Sequence, residues 1–414
     1  MFLKLNFYLI YLIPIAIILG PATSNIIVSI MGLLFIFYLF KDKLWFIFQN
    51  WIVQVLILFW FYLCIISLFS FDVNNSVKTS ILYIRFIFFA LAIGFFISKK
   101  PEIEIYFGNF LYFIIFLVLV DGLFSYNYDY NLLGIKDGST HIVSGIFGEE
   151  YILGSFLSRL LPLLFYFLFL DKNLSYYKMT VFIIFVIFID FIIFVSGERT
   201  AFFYMLLASF TLILLTKKFQ FFRLIAFLLS IILVIIVTLT NPKVKSRMVD
   251  HTILELGLND NKEGIYFISE LHQDYYLNAY NMFLYNPIIG NGPNSFRTLC
   301  SNDSFNSNAC SIHPHNTYFQ LLAETGLIGF LFIFTCFLLL LFIFIRQFFH
   351  LYFFKTRKII SDTNICLFTC ILITLWPLVP TGNFFSSWLN TLYFLPLGFY
   401  FSKFFVNQNT PSDL

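Results

Sequence analysis

Apolar residues run along this 414-residue chain in blocks close to the length that crosses a bilayer, separated by short clusters of Lys, Asn, Asp and Gly. Measured against roughly 20 residues per helical span, the blocks predict about twelve transmembrane helices. Their expected limits are 5–20, 24–40, 51–70, 79–97, 104–123, 151–170, 178–195, 199–216, 221–240, 325–345, 363–378 and 387–405. The fold class that follows is all-α, a polytopic integral membrane protein. No small-residue cleavage site follows the first block, and a second block begins at once, so the first reads as a retained anchor instead of a removed signal peptide.

Two inter-span segments interrupt the pattern. Residues 124–150 form a polar loop, and residues 241–315 form a much longer one that is expected to hold short helices. A connection of that length is more than a link between spans and points to function. No internal repeat and no separate soluble segment appears, so residues 1–414 are read as a single membrane domain. With the N-terminus in the cytoplasm, fifteen of the 25 Lys and Arg fall on the inner side, including Lys41 and Lys43, Lys99 and Lys100, Lys217 and Lys218, and Lys355, Arg357 and Lys358. The opposite short loops hold little beyond Lys78 and Lys136, which places the long 241–315 loop outside.

Composition adds little to this. The chain is 60% hydrophobic and 11% charged, and 61 of its residues are Phe, an excess that a biased genome explains as well as any aromatic cage. A net charge of +3, scattered between spans, gives no reason to expect nucleic acid. Cys64, Cys336, Cys366 and Cys370 fall within spans and read as small hydrophobes, and the i,i+4 pair Cys366 and Cys370 has no His or acidic neighbours for a metal site. Cys300 and Cys310, in the external loop, are either a disulfide or two free thiols.

Candidate chemistry concentrates in residues 313–329, where His313, His315, Asn316 and Glu324 stand at the edge of an apolar chain that tolerates such groups poorly. Asn316 is placed to N-cap a short helix over Thr317 to Glu324, which sets His315 beside the positive end of the helix dipole and favours neutral imidazole. Arg85 and Arg159 sit inside expected spans, roughly 9 and 12 Å from the outer ends at about 1.5 Å per residue. Together with Arg199 they suggest an anion pocket, although Asp190 could instead neutralise Arg159 in a structural pair. Gly290 and Gly292 after Asn286-Pro287 read as a tight turn anchored by Phe296, and Gly326 and Gly329 as a bend.

Three pieces, in order, carry a resemblance: Ser196-Gly197-Glu198-Arg199-Thr200, Pro287-x-x-Gly290-x-Gly292-x-x-x-Phe296, and His315-Asn316 followed by nine residues and Gly326-x-x-Gly329. With these the chain resembles the O-antigen ligase and O-antigen polymerase superfamily of bacterial membrane glycosyltransferases, most specifically over residues 196–330. The resemblance implies glycan transfer on the outer face of the inner membrane, from a polyprenyl-diphosphate-linked glycan donor to lipid A core (ligase) or to another carrier-linked unit (polymerase), with no cofactor and no metal.

It also implies that His315 is the catalytic base and Arg199 the group that receives the leaving diphosphate. His313, Asn316, Arg85, Arg159, Arg247 and Arg297 are the further candidates for substrate binding. Without the motif, His313 and His315 would read as polar loop residues, and Arg199 as a snorkelling arginine or a partner for Glu198. Ligases carry another loop arginine where this chain reads Glu270-Leu271-His272-Gln273-Asp274, so Arg247, Arg297 or His272 would have to supply that charge. Imidazole and guanidinium are expected to converge on one external pocket. A lipid-linked oligosaccharide flippase or other transporter would also use twelve spans and embedded arginines, but it gives no reason for a His-Asn pair on a one-sided loop.

Overall fold

The computed structural model describes residues 2–138, 142–258, 265–266, 268–302, 305, 309–354 and 359–409. Among them there is no β-strand, only a lone antiparallel bridge between Tyr130 and Lys136. Helices occupy each of the twelve expected spans: α1 (Phe2–Ile18), α2 (Pro21–Lys41), α3 (Trp51–Ser67), α4 (Val73–Lys99), α5 (Glu102–Tyr128), α6 (Leu153–Leu170), α7 (Tyr176–Val195), α8 (Arg199–Leu215), α9 (Gln220–Thr240), α11 (Thr317–Tyr352), α12 (Asp362–Thr374) and α13 (Ser387–Asn409). The thirteenth long helix, α10 (Glu270–Tyr285), belongs to the 241–315 loop, together with short turns at Pro242–Lys245, Ser246–Asp250, His251–Glu255 and Phe296–Leu299. Among the described residues, seven helices are long and apolar enough to cross a membrane by length and composition. The inner-side cluster Lys355, Arg357 and Lys358 lies outside the described residues.

Several helices start earlier or end later than apolarity alone predicts, because polar caps decide where they begin. Asp72 accepts a hydrogen bond from the Asn75 N–H at 3.2 Å, so α4 starts at Val73 and takes Asn74, Asn75 and Lys78 into its first turns. Arg85 is therefore twelve residues into its helix, about 18 Å, twice the expected depth, while Arg159 is six residues into α6, about 9 Å. Asn50 and Ser175 cap α3 and α7 in the same way.

The chain divides into two compact units, each discontinuous in sequence. The first comprises Met1–Pro101, Ile265–Leu339 and Leu375–Leu414, and the second Glu102–Gly264 and Leu340–Thr374. In the first, α4 packs on α13 with little between the backbones: a Cβ on Gly94 would come within 2.8 Å of Phe401, and one on Gly398 within 2.7 Å of Ile93. The phenylalanines fill this core; Phe35, Phe95 and Phe405, for example, meet edge to face. In the second unit α6 is the buried centre, packed on α7, α8 and α12.

One feature of the first unit positions everything near His315. Helix α11 breaks at Gly326 (φ 63°, ψ −169°), and the 287–292 turn inserts into the break. Leu327 and Ile328 donate to the carbonyls of Pro287 and Ile288 (2.8 and 3.4 Å), while Asn291 and Gly292 donate to the carbonyls of Ala323 and Glu324 (3.1 and 2.8 Å). The backbones touch at glycine, since a Cβ on Gly290 would lie 2.4 Å from the Gly326 nitrogen and one on Gly326 2.4 Å from the Ile288 oxygen. Gly292 is pressed as closely against Ser70. Gly329 remains helical, and its expected share in the bend passes wholly to Gly326. Glu324, fully buried, locks the turn by accepting from the backbone N–H groups of Asn294 and Phe296 (2.9 and 3.0 Å) and from Gln320 at 3.1 Å.

Replacing Gly326 by alanine adds a side chain to a glycine-only backbone region and a clash, a cost of order 1–3 kcal/mol from the backbone alone. We expect G326A to lower the melting temperature of the detergent-solubilised protein by several degrees, whereas G329A, which keeps helical backbone angles and adds only the side-chain clash with Thr325, lowers it less.

Candidate functional site

In the first unit the chain turns into α11 through His315, which is one of the few non-glycine residues with a left-handed backbone (φ 55°). Such a conformation costs of order 1–3 kcal/mol and persists only where the surroundings impose it. Here the His315 N–H donates to His313 Nδ1 at 3.0 Å, and its carbonyl accepts from the Thr381 N–H at 2.8 Å. The next residue fixes the helix: Asn316 Oδ1 accepts from the N–H groups of Tyr318 and Phe319 (2.9 and 3.2 Å), and its amide donates to the carbonyls of Pro377 and Val379. Asn316 is thus a true N-cap. Both its faces are consumed by backbone, which makes it a support for His315 and leaves little of it for a substrate.

Around His315 the loop assembles a stack of rings. The His313 ring centroid is 4.1 Å away, that of Tyr275 5.3 Å at an interplanar angle of 25°, and that of His272 5.7 Å. His315 Nε2 lies 3.3 Å from the Ser311 hydroxyl, and His272 Nδ1 lies 2.7 Å from that of Ser269, the residue capping α10. Cys300 and Cys310 are joined in a disulfide that ends one residue before Ser311. Arg297, exposed on Phe296–Leu299, is near enough to act electrostatically on His313. Among the described residues no three His, Cys, Asp or Glu side chains are arranged to hold a metal ion.

Burial sets the charge state of these rings. It holds His315 down to about 4, with the nearby His272 acting in the same sense. His313 is pushed down to about 3 by burial, by His315 and by Arg297. Both imidazoles are therefore neutral near pH 7 and available as acceptors. Glu324 is not available to these rings, since its oxygens are occupied by the 294–296 turn and Gln320.

The second unit holds Arg199, Arg247 and Arg159. Arg199 does not pair with Glu198; it donates to Glu255 Oε2 at 2.6 Å and to Thr252 at 3.2 Å. Glu198 instead accepts from the Gly154 and Ser155 N–H groups at the start of α6 (2.5 and 3.0 Å), and burial raises its carboxyl to about 7. Arg247 donates to the Gly197 carbonyl at 3.3 Å; burial first, and then the Arg199 charge, pull it below the usual arginine range. Two guanidiniums facing one carboxylate leave a local positive excess, the arrangement an anion would complete.

Arg159 is buried, donates to the Ser155 carbonyl at 3.2 Å and lies 4.8 Å over the Tyr204 ring. The pairing considered between Arg159 and Asp190 is replaced by a hydrogen bond from Ser230 to Asp190 at 2.7 Å. Arg85, in the first unit, donates to Asn25 and Ser387 (2.8 and 3.0 Å) and covers the Phe86 ring, so it already has protein partners.

Residues 182–334 match the family model described as O-Antigen ligase. Over this segment the chain is similar to the O-antigen ligase family. No curated protein matches the chain. The O-antigen ligase segment runs from α7 into α11 and contains Arg199, Arg247, His272, the interlocked glycines and His315, whereas Arg85 and Arg159 precede it. Within it, the sequence alone does not reveal that His272, Tyr275 and Ser311 join His315. The only signal is the helical spacing His272-x-x-Tyr275-Tyr276-x-x-Ala279, one face of α10.

Because the folded His313 and His315 bind protons more weakly than in the unfolded chain, stability is fully present above the ordinary value of 6.5 and is lost as pH falls from there toward about 4 for His315 and about 3 for His313. The double variant H313Q/H315Q is expected to flatten the melting-temperature profile in that window; an unchanged slope would contradict the burial argument.

Proposed function

We propose that the protein is an O-antigen ligase-type glycosyltransferase of the bacterial inner membrane. It moves a glycan from a polyprenyl-diphosphate carrier to a lipid A core or similar acceptor hydroxyl at the periplasmic face. The observation that carries the reading is His315: within the O-antigen ligase segment, a neutral imidazole is held by a strained backbone at the mouth of a capped helix.

In the proposed mechanism His315 accepts the proton of the acceptor hydroxyl as its oxygen attacks the anomeric carbon. The bond to the diphosphate breaks on the opposite side, so the anomeric configuration inverts and no metal is required. Its depressed basicity rises as the diphosphate anion approaches, which gives the imidazole its driving force only when substrate is present. His313, whose Nδ1 accepts the His315 N–H, orients the base, and Arg297 supports the substrate's charge in the same unit. For the second unit we propose that Arg199 and Arg247 recognise diphosphate, which displaces Glu255 from Arg199. Transfer to a second carrier-linked unit, the polymerase reaction, uses the same donor chemistry and differs only in the acceptor.

The test is an assay with purified protein, carrier-linked glycan and either lipid A core or a second carrier-linked unit. A new glycosidic bond to the core supports a ligase and a lengthened carrier-linked glycan a polymerase, while translocation without bond formation would favour a transporter and remove the proposal. His315→Gly relieves the backbone strain and should leave the melting temperature equal or higher. It should nonetheless lower transfer by roughly 10²–10⁴-fold, with partial rescue by added imidazole. Arg199→Ala is expected to weaken binding of the diphosphate carrier, and Glu255→Gln to strengthen it; equal affinities across the three proteins would rule out the displacement.

A further inference from the structure

Helix α10 turns one face to the protein and another outward, and the outward face changes character along its length. On the inner face Ala279 and Met282 are fully buried, Tyr276 stacks flat on Phe319 at 4.6 Å, and Asn278 donates to the Ala309 carbonyl at 2.6 Å. The outer stripe, at i, i+3, i+7, i+10 and i+14, reads Glu270, Gln273, Leu277, Tyr280 and Leu284, and Ile288 continues it beyond the helix end. All are exposed, the four apolar members at 47, 45, 56 and 64%. The stripe is thus polar at its start and apolar for the rest, over about 21 Å.

Its apolar end is not isolated. Pro287 and Ile288 are hydrogen-bonded to Leu327 and Ile328 at the break in α11, and Leu327, Ile328 and Leu331 are themselves exposed. On a helix of membrane-spanning length, exposed leucine and isoleucine face lipid. The outer stripe of α10 therefore runs without interruption into the lipid-facing surface of α11, and its polarity falls in the direction of that surface.

We propose that α10 lies in the membrane–water interface, with Leu277, Tyr280, Leu284 and Ile288 among the acyl chains of one leaflet and Glu270 and Gln273 at headgroup height. The partner of this surface is phospholipid acyl chain. It follows that His272 and Tyr275, on the inner side of the helix's polar end, stand where the headgroup of a membrane-borne molecule travels. The proposal rests on the spanning helices and the stripe, and not on the catalytic reading.

Single cysteines at Leu277, Leu284 and Gln273, introduced with Cys64, Cys336, Cys366 and Cys370 replaced by alanine and the disulfide retained, would be labelled with a fluorophore and reconstituted into phosphatidylcholine vesicles. At positions 277 and 284, phospholipids with brominated chains should quench severalfold more than aqueous iodide; at position 273 the order should reverse. Quenching of position 284 by iodide would place the stripe in water, and quenching by neither agent would place it under protein; either result overturns the proposal. Should the cysteine-depleted protein fail to fold, hydroxyl-radical footprinting of the unmodified chain in vesicles gives the same decision. Leu277, Tyr280 and Leu284 should be oxidised severalfold more slowly than Leu258, whose exposure is 56%, and equal rates would refute the interfacial placement.

Discussion

The arrangement around His315 depends on how a broken helix is made tolerable in a membrane protein. A helix interrupted at Gly326 frees backbone N–H and C=O groups that hydrocarbon cannot satisfy. The 287–292 turn satisfies them from outside the helix, through Pro287, Ile288, Asn291 and Gly292. Both partners approach through glycine because no side chain fits between them, and Glu324 fastens the far end of the turn with two backbone hydrogen bonds. The same contact fixes the end of α10, and with it the rings that surround the histidine. The 287–292 turn and residues 323–328 of α11, which belong to separate sequence motifs, are the two halves of one joint.

This explains what could and could not be read from the chain. Apolar run lengths located the helices, since a bilayer imposes its thickness on sequence directly. They misplaced ends wherever a polar cap such as Asp72 or Asn316 started a helix early. The capping role of Asn316 was legible because an N-cap is a local interaction of two or three residues. Long-range partners left no such trace. Nothing local tells that His272 reaches His315, that Arg199 meets Glu255 and not its neighbour Glu198, or that Asp190 is held by Ser230. The glycines looked like independent turns and bends because their shared clash is visible only once both backbones are in place.

Polar residues in this chain fall into two kinds. Asn316, Glu324, Glu198 and Arg85 spend their hydrogen-bonding capacity on the protein and hold segments in register. His313 and His315 remain uncharged in a half-dry setting, and Arg199 and Arg247 crowd a single carboxylate. Groups of the second kind leave interaction energy unspent, which is what a charged or proton-bearing ligand uses on arrival.

The interleaving of the two units has a consequence for biogenesis. Helix α4 packs more extensively on α13 than on any other element, yet most of the other helices lie between the two in sequence. During synthesis the early spans must therefore wait in the bilayer with a phenylalanine-rich face covered only by lipid. A nascent chain that has not yet reached α13 leaves that face without its most extensive protein partner.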